Sequence, residues 1–301
     1  MRKLGQPGAI ALMLVGIVSG CNLTAPSPPS RLPQVGREKP RVQQPTPKPG
    51  TRQPVSSVTN NRNLFLGNPS NAVSSITSTD NYLMVKPQYV LSYNSKTKTA
   101  NWVSWQLNKS WIGAADRQDN FRPDDSLPAN WYKVRPSDYT GSGYDRGHIA
   151  PSADRTRNEA DNSSTFLMTN MMPQVPEVNR GVWGDLEEYC RELVQQGKEL
   201  YIIAGPVGRK GSIGSKEKIA VPAMNWKVIA VLDRQGLGMQ GVNANSRTIA
   251  VMMPNDSSVK GKGWKSFRVS VARVERETGL NFLSNVPPQV QQVIESKVDS
   301  Q

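Results

Sequence analysis

Apolar positions between residues 63 and 301 fall mostly into short runs bounded by polar or turn-forming residues. Tyr82-Leu83-Met84-Val85 and Tyr89-Val90-Leu91-Ser92-Tyr93 are rich in β-formers. Asn94 to Thr99 supplies a polar turn, and Asn101 to Leu107 alternates apolar with polar, so this segment predicts a hairpin. Thr165 to Thr169 reads as a buried strand that Asn170 to Gln174 ends. Asn179 to Gln196 has a different period. Val182, Leu186, Tyr189, Cys190 and Leu193 recur three or four residues apart, and Gly197 closes a predicted helix. Leu200 to Ala204 is a continuous apolar strand stopped by Gly205-Pro206. Trp226 to Leu232 and Thr248 to Met253 are further strands, and Val269 to Glu277 predicts a short helix ending at Gly279. Strands outnumber helices without regular βα alternation. The expected class is therefore α+β, with a mainly antiparallel central sheet and flanking helices. Asp116 to Pro136 reads as a polar loop carrying Arg117, Arg122 and Arg135. Gly205 to Gly214 reads as a surface turn, because it lacks the Gly and Lys-Ser/Thr order of a phosphate loop.

The first 62 residues follow other rules. Residues 1–20 have a charged start at Arg2 and Lys3 and an apolar stretch from Ala9 to Val18, the signature of an export signal and too short for a stable bilayer span. Val18-Ser19-Gly20-Cys21 resembles a bacterial lipobox, in which the cysteine becomes the lipid-bearing first residue. A lipid on Cys21 would tie the chain to a membrane, in the periplasm or at the cell surface, with free secretion as the alternative. Residues 21–62 are rich in proline and basic residues and bury too little apolar area to fold, so they read as an extended tether. Residues 63–301 are the expected globular domain.

Charge and cysteine content narrow the choices. The chain carries 37 Lys and Arg against 24 Asp and Glu, a net +13. Residues 1–62 hold nine of those cations and one acid, which leaves 28 cations and 23 acids, a net +5, for the remainder. Overall basicity is thus weak evidence for nucleic acid. Of the two cysteines, Cys190 is alone if Cys21 is lipidated, which excludes an intrachain disulfide and a cysteine zinc site. Within its helical pattern Cys190 reads as a small buried hydrophobe.

The single histidine, His148, lies in Gly143-Tyr144-Asp145-Arg146-Gly147-His148-Ile149-Ala150-Pro151. An imidazole can take and release a proton near neutral pH. An acid and a cation flank it, and Gly147 allows a sharp backbone turn. Phosphodiester hydrolysis needs a base for water, a divalent cation, fixed positive charge around the phosphate, and a means of orienting the base. His148 can be the base, or alternatively a metal ligand, although Mg²⁺ prefers oxygen. Oxygen ligands are offered by Asn170, Asn179 and Glu187. Arg191 follows Glu187 at helical spacing, so the two can pair on one face. Plainer roles also exist: Asn179 can cap a helix, and Glu187 with Arg191 can be a solvated ion pair.

Gly143 to Pro151 resembles the Asp-Arg-Gly-His signature of the DNA/RNA non-specific endonucleases, the ββα-metal or His-Me finger nucleases. Thr169-Asn170-Met171-Met172-Pro173-Gln174 resembles that family's second block, and Asn179 to Glu187 its third. Ala115 to Asp124 resembles the upstream arginine block of the secreted bacterial members. The resemblance implies a ββα-metal motif and cleavage of DNA and RNA to 5′-phosphorylated products. It implies His148 as general base and Asn179 as the direct ligand of one Mg²⁺, with Mn²⁺ as a substitute. Glu187 would act on the hydration shell of that ion through water. Arg117 would stabilise the transition state, with Arg122 and Arg135 as neighbouring alternatives. Asp145 would hold the loop and Asn170 would position His148 or a water. Arg146, Arg191 and Arg122 would bind phosphate, and a proteinaceous nuclease inhibitor is a compatible partner. Two other readings fit the chain less well: a surface lipoprotein that captures nucleic acid without cutting it, and a phosphodiesterase confined to small substrates.

Overall fold

The computed structural model describes residues 61–216 and 218–301. The signal and lipid-anchor expectations, and nearly all of the tether, fall outside these residues. In chain order the strands are β1 (Tyr82–Val85), β2 (Val90–Asn94), β3 (Thr99–Leu107), β4 (Asp145–His148), β5 (Met171–Gln174), β6 (Glu199–Val207), β7 (Gly211–Ile213), β8 (Ile219–Val221), β9 (Met224–Leu232), β10 (Arg247–Pro254) and β11 (Arg268–Val269). The helices are α1 (Glu159–Ser164), α2 (Trp183–Gln195), α3 (Val271–Thr278) and α4 (Pro288–Ser296).

A seven-stranded sheet in the order β1-β2-β3-β6-β9-β10-β11 forms the centre. All of its pairings are antiparallel, which bears out the α+β expectation. Its inner strands are apolar on both faces, as a sheet covered on both sides requires. Val103, Trp105, Ile202, Ile229, Val251 and Met253 point to one core, which α2 covers with Leu186, Cys190, Leu193 and Val194. Trp102, Tyr201, Trp226, Val228 and Met252 point to the other, which Val271 and Val274 of α3 and Ile294 of α4 cover. Cys190 is a free thiol, 1% exposed, and burial pushes its pKa up to about 12, consistent with a packing role.

Two small ribbons stand apart from the sheet, β4 with β5 and β7 with β8. The β4–β5 ribbon followed by α2 makes a ββα unit. The turn Val178–Val182 between them is a π-turn broken at Gly181, whose φ and ψ are −114° and −117°.

Several predicted boundaries move. Thr165 to Thr169 is not a strand: Leu167 makes an isolated bridge to Arg122, Met168–Asn170 is a 3₁₀ turn, and the strand follows at β5. Gly147 makes no sharp turn. It sits in extended β4, paired with Met172, and glycine is required there because a Cβ would meet the Gln174 side chain, whose Cγ would lie at 2.7 Å. Gly205-Pro206 does not stop β6, which continues to Val207. Gly205 instead admits the carbonyl of Asn101, where a Cβ would collide. Residues 211–213 of the expected turn form β7. The helix expected from Asn179 begins at Trp183, so Asn179 is not its cap. α3 ends as predicted, at Gly279 with φ 71°.

Candidate active site

β4 presents His148. The residue is 8% exposed and lies opposite Met171 on β5. Asn170 secures the chain just beyond it. Its backbone carbonyl accepts from Ile149 N at 2.9 Å, its Oδ1 accepts from Ala150 N at 2.9 Å, and its Nδ2 donates to the carbonyls of Ala150 and Thr165. Both amide ends are thereby committed to backbone. The imidazole packs edge-on to Phe166, with centroids 4.9 Å apart, and tilted to Phe121 at 5.5 Å. Its Nε2 is buried and has no hydrogen-bond partner among the described residues. A histidine kept for structure normally has its ring nitrogens bonded. Burial first, then the charges of Arg117 and Arg146, lower its pKa to about 3, so the ring is neutral and carries a lone pair at neutral pH.

The two cations are held by aromatic rings and short polar bonds. Arg117 lies 4.9 Å from the Phe166 centroid, donates from Nη1 to Ser152 Oγ at 2.8 Å and from Nε to Asp119 at 2.7 Å. Arg146 is exposed and lies 4.2 Å from the Phe121 centroid. Arg122 takes a different place. Its Nη1 donates to Asn120 and to the Ser163 carbonyl, and its backbone bonds Phe166 and Met168. It braces the arginine loop. Arg135 caps the turn Pro136–Tyr139 through its backbone.

Asp145, at the other end of β4, organises a second group. It accepts from Asn179 Nδ2 at 2.9 Å and from Arg180 Nε and Nη2 at 2.8 and 2.7 Å. Burial opposes ionisation of this carboxyl, but Arg180 and Asn179 outweigh it and hold the pKa below the usual carboxylate range. With its N–H on Asp145, the Asn179 amide turns its Oδ1 away from that carboxylate.

Glu187 and Arg191, on α2, form a third group, but not with each other as expected. Arg191 donates to Asp154 at 3.2 Å, and Asp154 also accepts from Trp105 Nε1 at 2.9 Å. Glu187 faces Lys227 of β9 at 3.6 Å. Burial raises the Glu187 carboxyl to about 7 and Lys227 opposes that rise. Trp183 ties the groups together. Its Nε1 donates to the His148 carbonyl at 3.3 Å and its ring centroid lies 4.1 Å from Lys227 Nζ.

Lys227, Arg180, Asp154 and Trp183 join these contacts without having been expected from the sequence. Lys227 had a visible signal, a lone cation inside the apolar run Trp226 to Leu232. Arg180 lies within the third motif, beside Asn179. The bonds of Asp154 depend on the packing of the Ser152–Asp154 turn against α2 and β3, which no local pattern announces.

Residues 66–289 match the family model described as DNA/RNA non-specific endonuclease. The chain is 60% identical over 239 residues to a nuclease of Nostoc sp., covering 79% of this chain and 86% of the relative. It is 33% identical over 217 residues to human mitochondrial endonuclease G, covering 68% and 70%. A chain from the crystal structure of an EndoG/EndoGI complex superposes with a TM-score of 0.64 at 26% identity, over 79% of this chain and 95% of that one. With three of its motifs on the ββα unit, the arginine loop packed beside it and most of its length matched, the protein is an endonuclease and belongs to the DNA/RNA non-specific endonuclease family.

Proposed function

We propose that the protein hydrolyses phosphodiester bonds of both DNA and RNA internally, with His148 as general base, leaving 5′-phosphates. The observation that carries this reading is the unpartnered, neutral imidazole beneath Arg117 and Arg146, on the strand whose Asp145 holds Asn179. His148 takes a proton from water as the oxygen attacks phosphorus. The bond to the 3′ oxygen breaks, and the leaving oxygen gains a proton. Arg117 faces the charge that grows on the phosphoryl oxygens. Arg146 and Arg191 hold neighbouring phosphates. The negative charge of a bound phosphodiester offsets the two guanidinium groups beside His148 and raises its affinity for the proton.

The family is divalent-metal-dependent, and the residues here fit one hard, mostly hydrated ion. Among the described residues no group of three or more His, Cys, Asp or Glu side chains could cage a metal. Asn179 has its amide oxygen turned from Asp145, and Glu187 Oε1 is buried without a hydrogen bond. Asn179 would hold Mg²⁺, or Mn²⁺ in its place, while Glu187 would reach its water shell. Such an ion would neutralise charge on the phosphate and the leaving oxygen.

The test is plasmid cleavage with and without EDTA, for the wild type and for His148→Ala. Metal-dependent nicking lost in the variant, with DNA binding retained, supports the reading. Binding without metal-dependent cleavage by the wild type would favour a nucleic-acid capture protein, and cleavage of dinucleotides alone a narrow phosphodiesterase.

Contacts confined to phosphate, sugar and ion would account for indifference to sequence. A proteinaceous inhibitor that covers this face is a further proposal, motivated by the inhibitor named with the similar EndoG chain. Export of the chain, with lipid on Cys21 and residues 21–62 as a tether to the domain at 63–301, is also proposed from the sequence. Mass spectrometry of the mature N-terminus tests it, and an unmodified Cys21 would exclude the anchor.

A further inference from the structure

Lys227 is 1% exposed, in the middle of a central strand. Its backbone is fixed on both sides, by Ala204 of β6 and Val251 of β10. Lysine is almost never buried this deeply unless paired. Its Nζ lies between the rings of Trp183, at 4.1 Å, and Trp105, at 5.8 Å, and reaches one carboxylate oxygen, Glu187 Oε1, at 3.6 Å. That distance is too long for a good hydrogen bond, so the contact is an ion pair with the ammonium resting on aromatic faces. Glu187 comes from α2, an element that also packs on the sheet through Leu186 and Cys190. A rigid strand thus sets a cation beneath a carboxylate carried by the helix.

We infer that Lys227 is a positioning residue, whose buried ammonium holds the Glu187 carboxylate in the place from which it acts on the hydration shell of the cation at Asn179. The inference rests on the role proposed above for Glu187. Partners one shell removed from a metal orient the groups that face it, and their loss weakens metal affinity. With an apolar group at 227, the Glu187 carboxylate would have no facing charge in a dry site and would turn toward solvent or toward Arg191. The bond between Asn179 and Asp145 would be untouched, so the site would be weakened and not abolished.

The test measures Mn²⁺ affinity by electron paramagnetic resonance on metal-stripped full-length protein. Wild type, Lys227→Met, Glu187→Gln and the double variant are compared, with thermal unfolding and duplex binding in EDTA as controls. Lys227→Met is expected to weaken Mn²⁺ binding by up to about 10-fold, and by no more than Glu187→Gln does, with duplex binding unchanged. In the Glu187→Gln background the same substitution should change Mn²⁺ affinity by less than about twofold, since both act through one carboxylate. A folded Lys227→Met with wild-type Mn²⁺ affinity overturns the inference. So does equal weakening in both backgrounds, which would mean that Lys227 acts through the fold at large. If the Met variant does not fold, Lys227→Arg and Lys227→Gln carry the comparison. The Arg form should bind Mn²⁺ more tightly than the Gln form, and the reverse order overturns the inference. Glu187→Gln alone leaving Mn²⁺ affinity unchanged would instead sink the reading of Glu187 on which this rests.

Discussion

At the scale of single residues, the imidazole of His148 makes two predictions with different readouts. Its ring is neutral in the folded protein because burial and two cations depress its pKa from 6.5 to about 3. The unfolded chain therefore binds a proton between those values that the folded chain does not, and stability falls as pH drops through that window. Comparing wild type with His148→Gln by denaturant unfolding at several pH values should show a steeper acid loss in the wild type, by up to about 1.4 kcal/mol per pH unit. Parallel curves would mean that the ring is hydrated. The arginines should separate by role. Arg117→Ala should lower kcat by about 10²-fold or more if it faces the growing charge. Arg122→Ala should lower the melting temperature while kcat stays within a few-fold, because its Nη1 is spent on Asn120 and Ser163. Steady-state kinetics on a short duplex decide both. The chemistry-bearing types, His148, Asn179 and Glu187, were all legible in the sequence. The partner of each carboxylate was not: Arg191 lies one helical turn from Glu187 yet pairs with Asp154, because the Ser152–Asp154 turn and β9 bring other charges closer.

At the scale of elements, the ββα unit depends on two close fits. Gly147 and Gln174 occupy one space on the β4–β5 ribbon, and Gln174 is fully buried. Gly147→Ala should cost about 1–3 kcal/mol through overpacking and displace the adjacent His148. Adding Gln174→Ala should recover part of both stability and cleavage, and failure to recover either would mean that the ribbon, and not this contact, is at fault. α2 is seated by Leu186, which is fully buried, so Leu186→Ala should cost about 2–5 kcal/mol by chemical denaturation. α4 carries a pH-dependent contact far from the site. Glu295 is 8% exposed, with a buried Oε1 that lacks a partner, and burial followed by the nearby charge of Glu275 raises its pKa from 4.5 to about 7. The folded protein holds that proton between those values, so stability falls as pH rises through them. Glu295→Gln should raise the melting temperature at pH 8 and leave it nearly unchanged at pH 4.5; an equal shift at both would refute the assignment. The long strands and α2 were readable because their apolar period is strong. β4 and α1 were not, because four to six residues without a clear apolar stripe carry little periodic signal; α4 offered Val290, Val293 and Ile294 at helical spacing, a stripe only two turns long.

At the scale of the whole molecule, the charge is spread unevenly, with a net +5 on residues 63–301 against +13 in total. A modestly basic domain that grips phosphates through a few arginines should lose affinity steeply with salt and discriminate little among sequences. Filter binding in EDTA should show a log-log salt slope that is the same for duplexes of different base composition. A slope that differs strongly between them would indicate base contacts that the proposed site does not have. No described helix is long and apolar enough to cross a membrane.

What the sequence alone determined is a matter of residue type and local period. One histidine, one asparagine-to-glutamate segment and a loop of arginines define the available chemistry, and short apolar runs define an antiparallel sheet. Which of these groups meet was set by the packing of the folded chain. The π-turn carrying Asn179 and Arg180 is tied to the rest of the site by Asp145, which accepts from both side chains. Position 147 has room only for glycine because Gln174 fills the space beside it. Lys227 meets Glu187 because a central strand passes beneath α2. Each of these is a contact between segments distant along the chain, set by packing and charge neutralisation in a dry interior. A local pattern does not contain such terms.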